Sequence, residues 1–236
     1  MSNAFFRFKQ FTVWHDRCAM KVGTDGVLLG AWCEVEGVQS ILDVGCGSGL
    51  ISMMLAQRNR TADVTALDID HAAVDQAAAN FRQSPFAARL RAVETDFLSM
   101  ADDGRRYDLV VCNPPFFTEQ TQSPDAGRAL ARSAEALPPE RLLTRAADLL
   151  TEEGRLAVIV PGQWAARWVL QASTKGLSLL HRTDVRSTPG KPVMRRLLEW
   201  GRKTAPTRFD SLTIHADDGS YSDEFRRLTE PFYIKW

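Results

Sequence analysis

Three glycines at alternate positions, Gly45, Gly47 and Gly49, lie between an apolar run ending in Asp43-Val44 and a stretch of helical periodicity starting at Ser48. Glycine takes positive φ at no steric cost, so such a loop can turn sharply from strand to helix and come close to a ligand. The N–H groups and the positive dipole end of the following helix then face whatever is bound there. A strand, a glycine turn and a helix in this order belong to chains that alternate β and α units around a parallel sheet.

The remaining pattern agrees. Short β-branched or aliphatic runs at 40–44, 63–67, 89–94, 108–112 and 155–160 stop at Gly, Asp, Asn or Pro, as strands do. Helices are expected at 48–57, 70–81 (with Asp70 as N-cap), 139–150 and 163–174. The last third changes character. Runs at 177–186 and 193–202, joined through Ser187-Thr188-Pro189-Gly190-Lys191-Pro192, read as an antiparallel hairpin with a long connection. A short strand at 211–215 and a helix at 222–228 follow. The expectation is a Rossmann-like α/β fold with a seven-stranded, mostly parallel sheet, a C-terminal antiparallel hairpin and helices on both faces. At 236 residues the chain is long enough to bury a substantial core as one domain. We expect residues 1–39 to form a lid and substrate segment, 40–175 the cofactor-binding core, and 176–236 the hairpin and an RNA-contacting extension.

A dinucleotide fingerprint would carry its last glycine at position 50, where Leu50 stands. The Gly-x-Gly-x-Gly spacing with Asp43 two residues ahead of Gly45 points instead to S-adenosylmethionine, whose ammonium Asp43 can approach directly or through water. Asp68, nineteen residues after Gly49, ends the second strand, where an acid accepts hydrogen bonds from ribose hydroxyls. Asp96 follows the third strand; its carboxylate can accept from an adenine amine while the Phe97 N–H meets a ring nitrogen.

The run Asn113-Pro114-Pro115-Phe116 ends the fourth strand. An aromatic amine is a poor nucleophile because its lone pair is delocalised into the ring. Two acceptors on its N–H groups return that lone pair, and the Asn113 side-chain carbonyl and the Pro114 backbone carbonyl can be those acceptors. Pro115 stiffens the loop, and Phe116 offers a face for a base to stack on. Asn113, Pro114 and Phe116 are therefore the candidate catalytic residues, and transfer rests on alignment more than on a general base.

Net charge is zero, so a nucleic acid would have to be held by a local patch. From Arg182 to Arg208 eight basic residues stand against only Asp184 and Glu199. Within that stretch Arg186, Lys191, Arg195 and Arg196 are the candidate RNA contacts, although strand alternation separates Arg195 from Arg196. Nearer the start, Lys21 and Thr24 belong to a polar stretch expected to lie over the cofactor, with Thr24 and Asp25 capping a helix over 26–32. The four cysteines make no Cys-x-x-Cys pair, so no metal and no disulfide framework is expected. No run reaches the ~20 apolar residues of a membrane span. A cytoplasmic monomer is the expectation.

Lys21-Val22-Gly23-Thr24-Asp25-Gly26-Val27-Leu28-Leu29-Gly30-Ala31-Trp32, the glycine loop and Asn-Pro-Pro-Phe together resemble the bacterial tRNA1(Val) (adenine-N6)-methyltransferases, class I methyltransferases. So do Gly190-Lys191-Pro192, Arg195-Arg196-Leu197-Leu198-Glu199 and the ending Pro231-Phe232-Tyr233-Ile234. The resemblance runs from about residue 5 to 236. It implies methylation of a flipped adenine in the anticodon loop of a valine tRNA, with Asn113, Pro114 and Phe116 at the acceptor and Gly45, Asp68 and Asp96 at the cofactor. One departure is Asp68, where such enzymes often carry Glu. Three alternatives stay open: a protein glutamine-N5 methyltransferase, a ribosomal guanine-N2 methyltransferase and a non-catalytic cofactor-binding module. About forty residues before the glycine loop, and Phe rather than Tyr at position 116, weigh against the first. The intact Asn-Pro-Pro-Phe motif weighs against the last.

Overall fold

Aliphatic residues at consecutive positions of a strand can be buried only if both faces of its sheet are covered. In the fourth strand Val110 and Cys112 pack on one side with Leu142, Leu143 and Trp168, while Leu109 and Val111 pack on the other with Leu29, Ile51 and Leu55. The computed structural model describes residues 3–18, 20–116 and 137–235. Its elements in chain order are β1 (Phe5–Arg7), β2 (Thr12–Trp14), α1 (Thr24–Trp32), β3 (Ser40–Val44), α2 (Leu50–Arg58), β4 (Asp63–Asp68), α3 (His71–Gln83), β5 (Leu90–Glu94), β6 (Tyr107–Cys112), α4 (Pro139–Leu149), β7 (Leu150–Pro161), α5 (Ala165–Ser173), β8 (Ser178–Arg186), β9 (Arg195–Gly201), β10 (Arg208–Thr213) and α6 (Asp223–Thr229).

Eight of the described strands form one sheet in the order β10-β8-β9-β7-β6-β3-β4-β5. The five strands from β7 to β5 are parallel, and β9 inserts antiparallel between β7 and β8. The expected seven strands become eight because β10 adds to β8 in parallel, pairing Arg208 with His181 through Thr213 with Arg186. The first four residues of this edge strand are exposed and include Arg208 and Asp210, a composition that blunts edge-to-edge pairing, and the expected strand at 211–215 overlaps only its end.

Three more local expectations change. β7 starts at Leu150, ahead of the expected strand at 155–160, so Glu152-Glu153-Gly154 lies within the strand. At Gly154 an added Cβ would sit 2.7 Å from the Tyr107 carbonyl, next to a register shift between Tyr107 and Leu109. Glycine here marks a bulge with close backbone approach. Second, α1 begins at Thr24 with Gly23 as N-cap and no side-chain cap, so neither Thr24 nor Asp25 caps it. Third, Phe5–Arg7 and Thr12–Trp14 pair as a short ribbon too brief for a period-2 signal. Asp70 does cap α3, accepting from the Ala72 N–H at 3.0 Å.

α1 and α2 lie close because Gly26 and Gly30 face α2. A Cβ at Gly30 would meet the Met54 Sδ at 2.9 Å, and one at Gly26 the Leu50 side chain at 3.0 Å. That contact seats the N-terminal segment against the helix that follows the glycine loop. Among the described residues no helix is long and apolar enough to cross a membrane.

Candidate active site

The carboxyl ends of β3, β4, β5 and β6 converge on one edge of the sheet, the place where ligands bind in open α/β sheets. After β3 the chain turns through Gly45 (φ 71°), Gly47 (φ 53°) and Gly49 (φ 79°), all left-handed. The Gly45 and Cys46 N–H groups both donate to the Leu67 carbonyl at 2.9 Å, which locks the loop to β4. The Gly47 N–H donates to Asp68 Oδ2 at 2.9 Å. A Cβ at Gly45 or Gly47 would enter open space, whereas one at Gly49 would strike the Phe81 ring at 2.4 Å. Gly49 is thus glycine for packing on α3, while Gly45 and Gly47 keep a bare backbone toward the cleft.

Asp43 lies beneath this loop, fully buried. Its Oδ2 accepts from the Ser52 N–H at 3.1 Å and from the Ser52 Oγ at 2.6 Å, anchoring α2. Burial pushes its carboxyl up to about 6 against those two hydrogen bonds. Asp43 is absent from the lining of the clefts on either side of the loop and supports the loop through Ser52, while its Oδ1 is left without a hydrogen-bond partner among the described residues.

The cleft in front of the loop is lined by Gly45, Gly47, Asp68, Asp96, Phe97 and Asn113 over an apolar floor that includes Leu67 and Ile69. Asp68 ends β4 and also accepts from the Asp70 N–H at 3.0 Å. Asp96 accepts from the Leu98 N–H at 2.9 Å and is exposed toward solvent. Phe97 is buried, 3% exposed. Two carboxylates at the rim, free glycine backbone and an apolar slot suit the hydroxyls, the amine and the ring of an adenosine. Cys18 also borders this cleft, its thiol pushed up to about 12 chiefly by burial. Burial raises the Cys46 and Cys112 thiols as well, so all three stay protonated near neutrality and offer no thiolate nucleophile.

A second cleft lies on the other side of the glycine loop, lined by Lys21, Thr24, Asp25, Gly47, Asn113 and Arg195 among others. Asn113, directly after β6, borders both clefts. Its side-chain carbonyl is buried and accepts no hydrogen bond among the described residues. A buried acceptor without a partner costs about 1–3 kcal/mol and asks for an explanation in function. Pro114 is buried beside it, and the Phe116 ring is half-buried. The Arg195 guanidinium carbon stands 4.9 Å from the Phe116 ring centroid, and Trp164 meets that ring edge-on at 6.2 Å.

Most predicted site residues therefore fall together. Gly45, Gly47, Asp68, Asp96, Phe97 and Asn113 share the first cleft, and Lys21 and Thr24 face the second. Gly49 and Asp43 stand behind the loop. The basic stretch divides. Arg196 and Arg182 both bond Asp184, whose carboxyl they hold down to about 2. Arg195 bonds Asp25 at 2.9 Å, Lys203 pairs with Glu153, and Arg208 with Asp210. The apparent excess of positive charge is largely cancelled by acids from β7, β10 and α1 that no local window counts. Arg186 and Lys191, at either end of the hairpin connection, stand outside these pairs. The motif alone does not foretell Trp164 and Asp25 as its neighbours. Trp164 follows Pro161-Gly162 as the motif follows β6, at the same sheet edge, a signal that becomes readable only with the topology.

Residues 27–184 match the family model described as methyltransferase small domain. The tRNA1(Val) (adenine(37)-N6)-methyltransferase of Parabacteroides distasonis is 43% identical, covering 100% of both chains. That of Bacteroides thetaiotaomicron is 42% identical over 99% of each, and that of Yersinia pestis 40% identical over 98% of this chain and 94% of its own. The chain belongs to this methyltransferase family. Solved structures agree at the level of fold: a predicted O-methyltransferase of Agrobacterium tumefaciens aligns with a TM-score of 0.68 at 19% identity, covering 88% of this chain and 96% of that one. A T. thermophilus 16S rRNA N2 methyltransferase solved with AdoMet and guanosine aligns at 0.58 with 20% identity, covering 84% of this chain and 50% of that one. The resemblance read from the motifs and the Rossmann-like class I fold both hold for this enzyme.

Proposed function

We propose that this methyltransferase uses S-adenosylmethionine to methylate N6 of the adenine at position 37 of a valine tRNA, working as a cytoplasmic monomer. The observation that carries the proposal is the buried Asn113 carbonyl where the two clefts meet, without a hydrogen-bond partner among the described residues, on a chain that aligns over 99–100% of its length with relatives named for that activity.

S-adenosylmethionine, when bound, supplies an electrophilic methyl on a sulfonium. Asp68 would accept from its ribose, Asp96 and the Phe97 N–H would hold its adenine, and Gly45 and Gly47 would allow the backbone close approach, with Lys21 and Thr24 on the far side of the loop. The acceptor adenine, turned out of its stack, would rest on Phe116. Asn113 Oδ1 and the Pro114 carbonyl would accept hydrogen bonds from its two amine N–H groups, which returns the lone pair to the nitrogen. The N–CH3 bond would form as the S–CH3 bond breaks, leaving a neutral thioether, and the surplus proton on the nitrogen would pass to water. The protein needs no metal for these steps. Residues 1–39 close over the site, 40–175 carry the cofactor, and 176–236 meet the RNA, with Arg186 and Lys191 as the cations left for phosphates.

The test is methyl transfer from labelled cofactor to total tRNA and total protein prepared from a strain lacking the enzyme, followed by digestion to nucleosides. The expected product is N6-methyladenosine in tRNA. Label in protein glutamine, or as N2-methylguanosine, would overturn the assignment.

A further inference from the structure

Arg195 counts in the sequence among eight basic residues suited to phosphates, yet the fold gives it other partners. It opens β9, pairs with Pro161 of β7 and Val185 of β8, and so stands at the sheet edge that carries Asn113. Strand alternation sends the neighbouring Arg196 to the opposite face, to Asp184 and the Gly162 carbonyl. The Arg195 side chain reaches across the second cleft. Its Nε donates to Asp25 Oδ2 at 2.9 Å and its Nη1 to the Met194 carbonyl at 3.0 Å. Its guanidinium lies over the Phe116 ring with 4.9 Å between carbon and centroid. The Arg195 and Asp25 side chains are 17% and 22% exposed, so the pair is shielded well beyond an ordinary surface ion pair.

We infer that Arg195 is a positioning residue for methyl transfer: held by Asp25, its guanidinium fixes the plane of the Phe116 ring against which the acceptor base stacks. The inference rests on the proposed reading of that site. A planar, delocalised cation on an aromatic face is attracted by the ring quadrupole, and its fork can satisfy a carboxylate at the same time. Asp25 is tied to α1, which Gly26 and Gly30 hold against α2 behind the glycine loop. The chain α2, α1, Asp25, Arg195, Phe116 therefore references the acceptor platform to the loop that carries the cofactor. The base meets a ring whose orientation is already set, and its amine arrives at Asn113 in register with the methyl.

Arg195→Ala, Arg195→Lys and Asp25→Asn test this with the full chain and tRNA substrate. Arg195→Ala is expected to lower kcat about 10- to 100-fold, the cost of a reacting group displaced by about 1 Å. The KM for tRNA should stay within about threefold, and its dependence on salt should be unchanged. Lysine keeps the charge but neither the plane nor the fork, so Arg195→Lys should not restore kcat. Asp25→Asn should lower kcat in the same direction from the other side of the ion pair, while all three variants bind cofactor as the parent does. A raised KM with a shallower salt slope would make Arg195 a phosphate ligand and overturn the inference. So would a lowered melting midpoint with kcat intact at a temperature where the variants are folded. If the parent itself transfers no methyl to tRNA, the reading of the site falls and takes the inference with it; parent turnover with unaffected variants sinks the inference alone.

Discussion

The side chain with most at stake is Asn113. Its carbonyl is buried and has no hydrogen-bond partner among the described residues, a cost that a bound amine would relieve. Asn113→Ala is expected to keep cofactor binding while lowering kcat about 10²- to 10³-fold, the scale seen when one preorganised hydrogen-bonding group is removed from an active site; isothermal titration and single-turnover assays would separate the two effects. Asp68 ties the glycine loop to the end of β4, since it accepts from the Gly47 and Asp70 N–H groups, and it also lines the cleft. Removing such a charged acceptor should weaken cofactor binding about 10- to 100-fold in Asp68→Ala. The candidate residues are legible in the sequence because their motifs are local: Asn-Pro-Pro-Phe after one strand, an acid after another. The spacing of Asp43 from the loop suggests contact with a ligand, and only the fold reveals that Ser52 of α2 donates to its Oδ2.

Between elements, the glycine loop has two kinds of glycine. Gly45→Ala places a methyl in open space at φ 71°, so its cost is backbone strain of ~1–2 kcal/mol. Gly49→Ala adds collision with Phe81 to the same strain, for ~2–4 kcal/mol in all. Chemical denaturation should rank the two in that order; equal losses would mean that α3 yields freely. The hairpin makes a similar distinction among cations. Arg186→Ala with Lys191→Ala should reduce the salt slope of tRNA binding by about 0.9 for each phosphate that these two side chains neutralise. Arg196→Ala should cost stability instead, because it takes a partner from Asp184. The strands β3 to β7 are legible from aliphatic runs, since burial on both faces writes itself into consecutive residues. β10 is legible only at its end, where the expected strand at 211–215 overlaps it, because its first four residues are exposed, and the β1–β2 ribbon is not, because three-residue strands leave no such trace. Two ion pairs of the hairpin stay hidden for a related reason: the acids that meet Arg195 and Lys203, Asp25 and Glu153, lie far away along the chain.

For the molecule as a whole, two buried or half-buried carboxylates set opposing pH trends. Asp43 holds its proton more tightly folded than unfolded, so its contribution favours the fold in acid and is lost as the pH rises from 3.8 toward about 6. Over that window it amounts to ~3 kcal/mol. Asp184 runs the other way: Arg182 and Arg196 hold it down to about 2, so its contribution is present above the ordinary aspartate range and fades as the pH falls toward 2. Urea denaturation at intervals from pH 4 to 7 should find that Asp43→Asn removes a decline in stability with rising pH that the parent retains. An identical slope in both would dissociate Asp43 from that trend.

The N-terminal ribbon is clasped by the far end of the chain. The Lys9 N–H donates to the Phe232 carbonyl at 2.8 Å, Phe8 stacks on Tyr233, and Phe8, Phe11 and Phe232 share one buried cluster. The partner of Asp25 likewise arrives only with residue 195. On the ribosome, then, the glycine loop and its strands emerge long before the residues that seat the N-terminal ribbon. Order of synthesis becomes order of assembly: a nascent chain can form the loop early, but the Asp25–Arg195 pair must wait for residue 195 to leave the exit tunnel, and the clasp on Phe8 and Lys9 for residues 232 and 233.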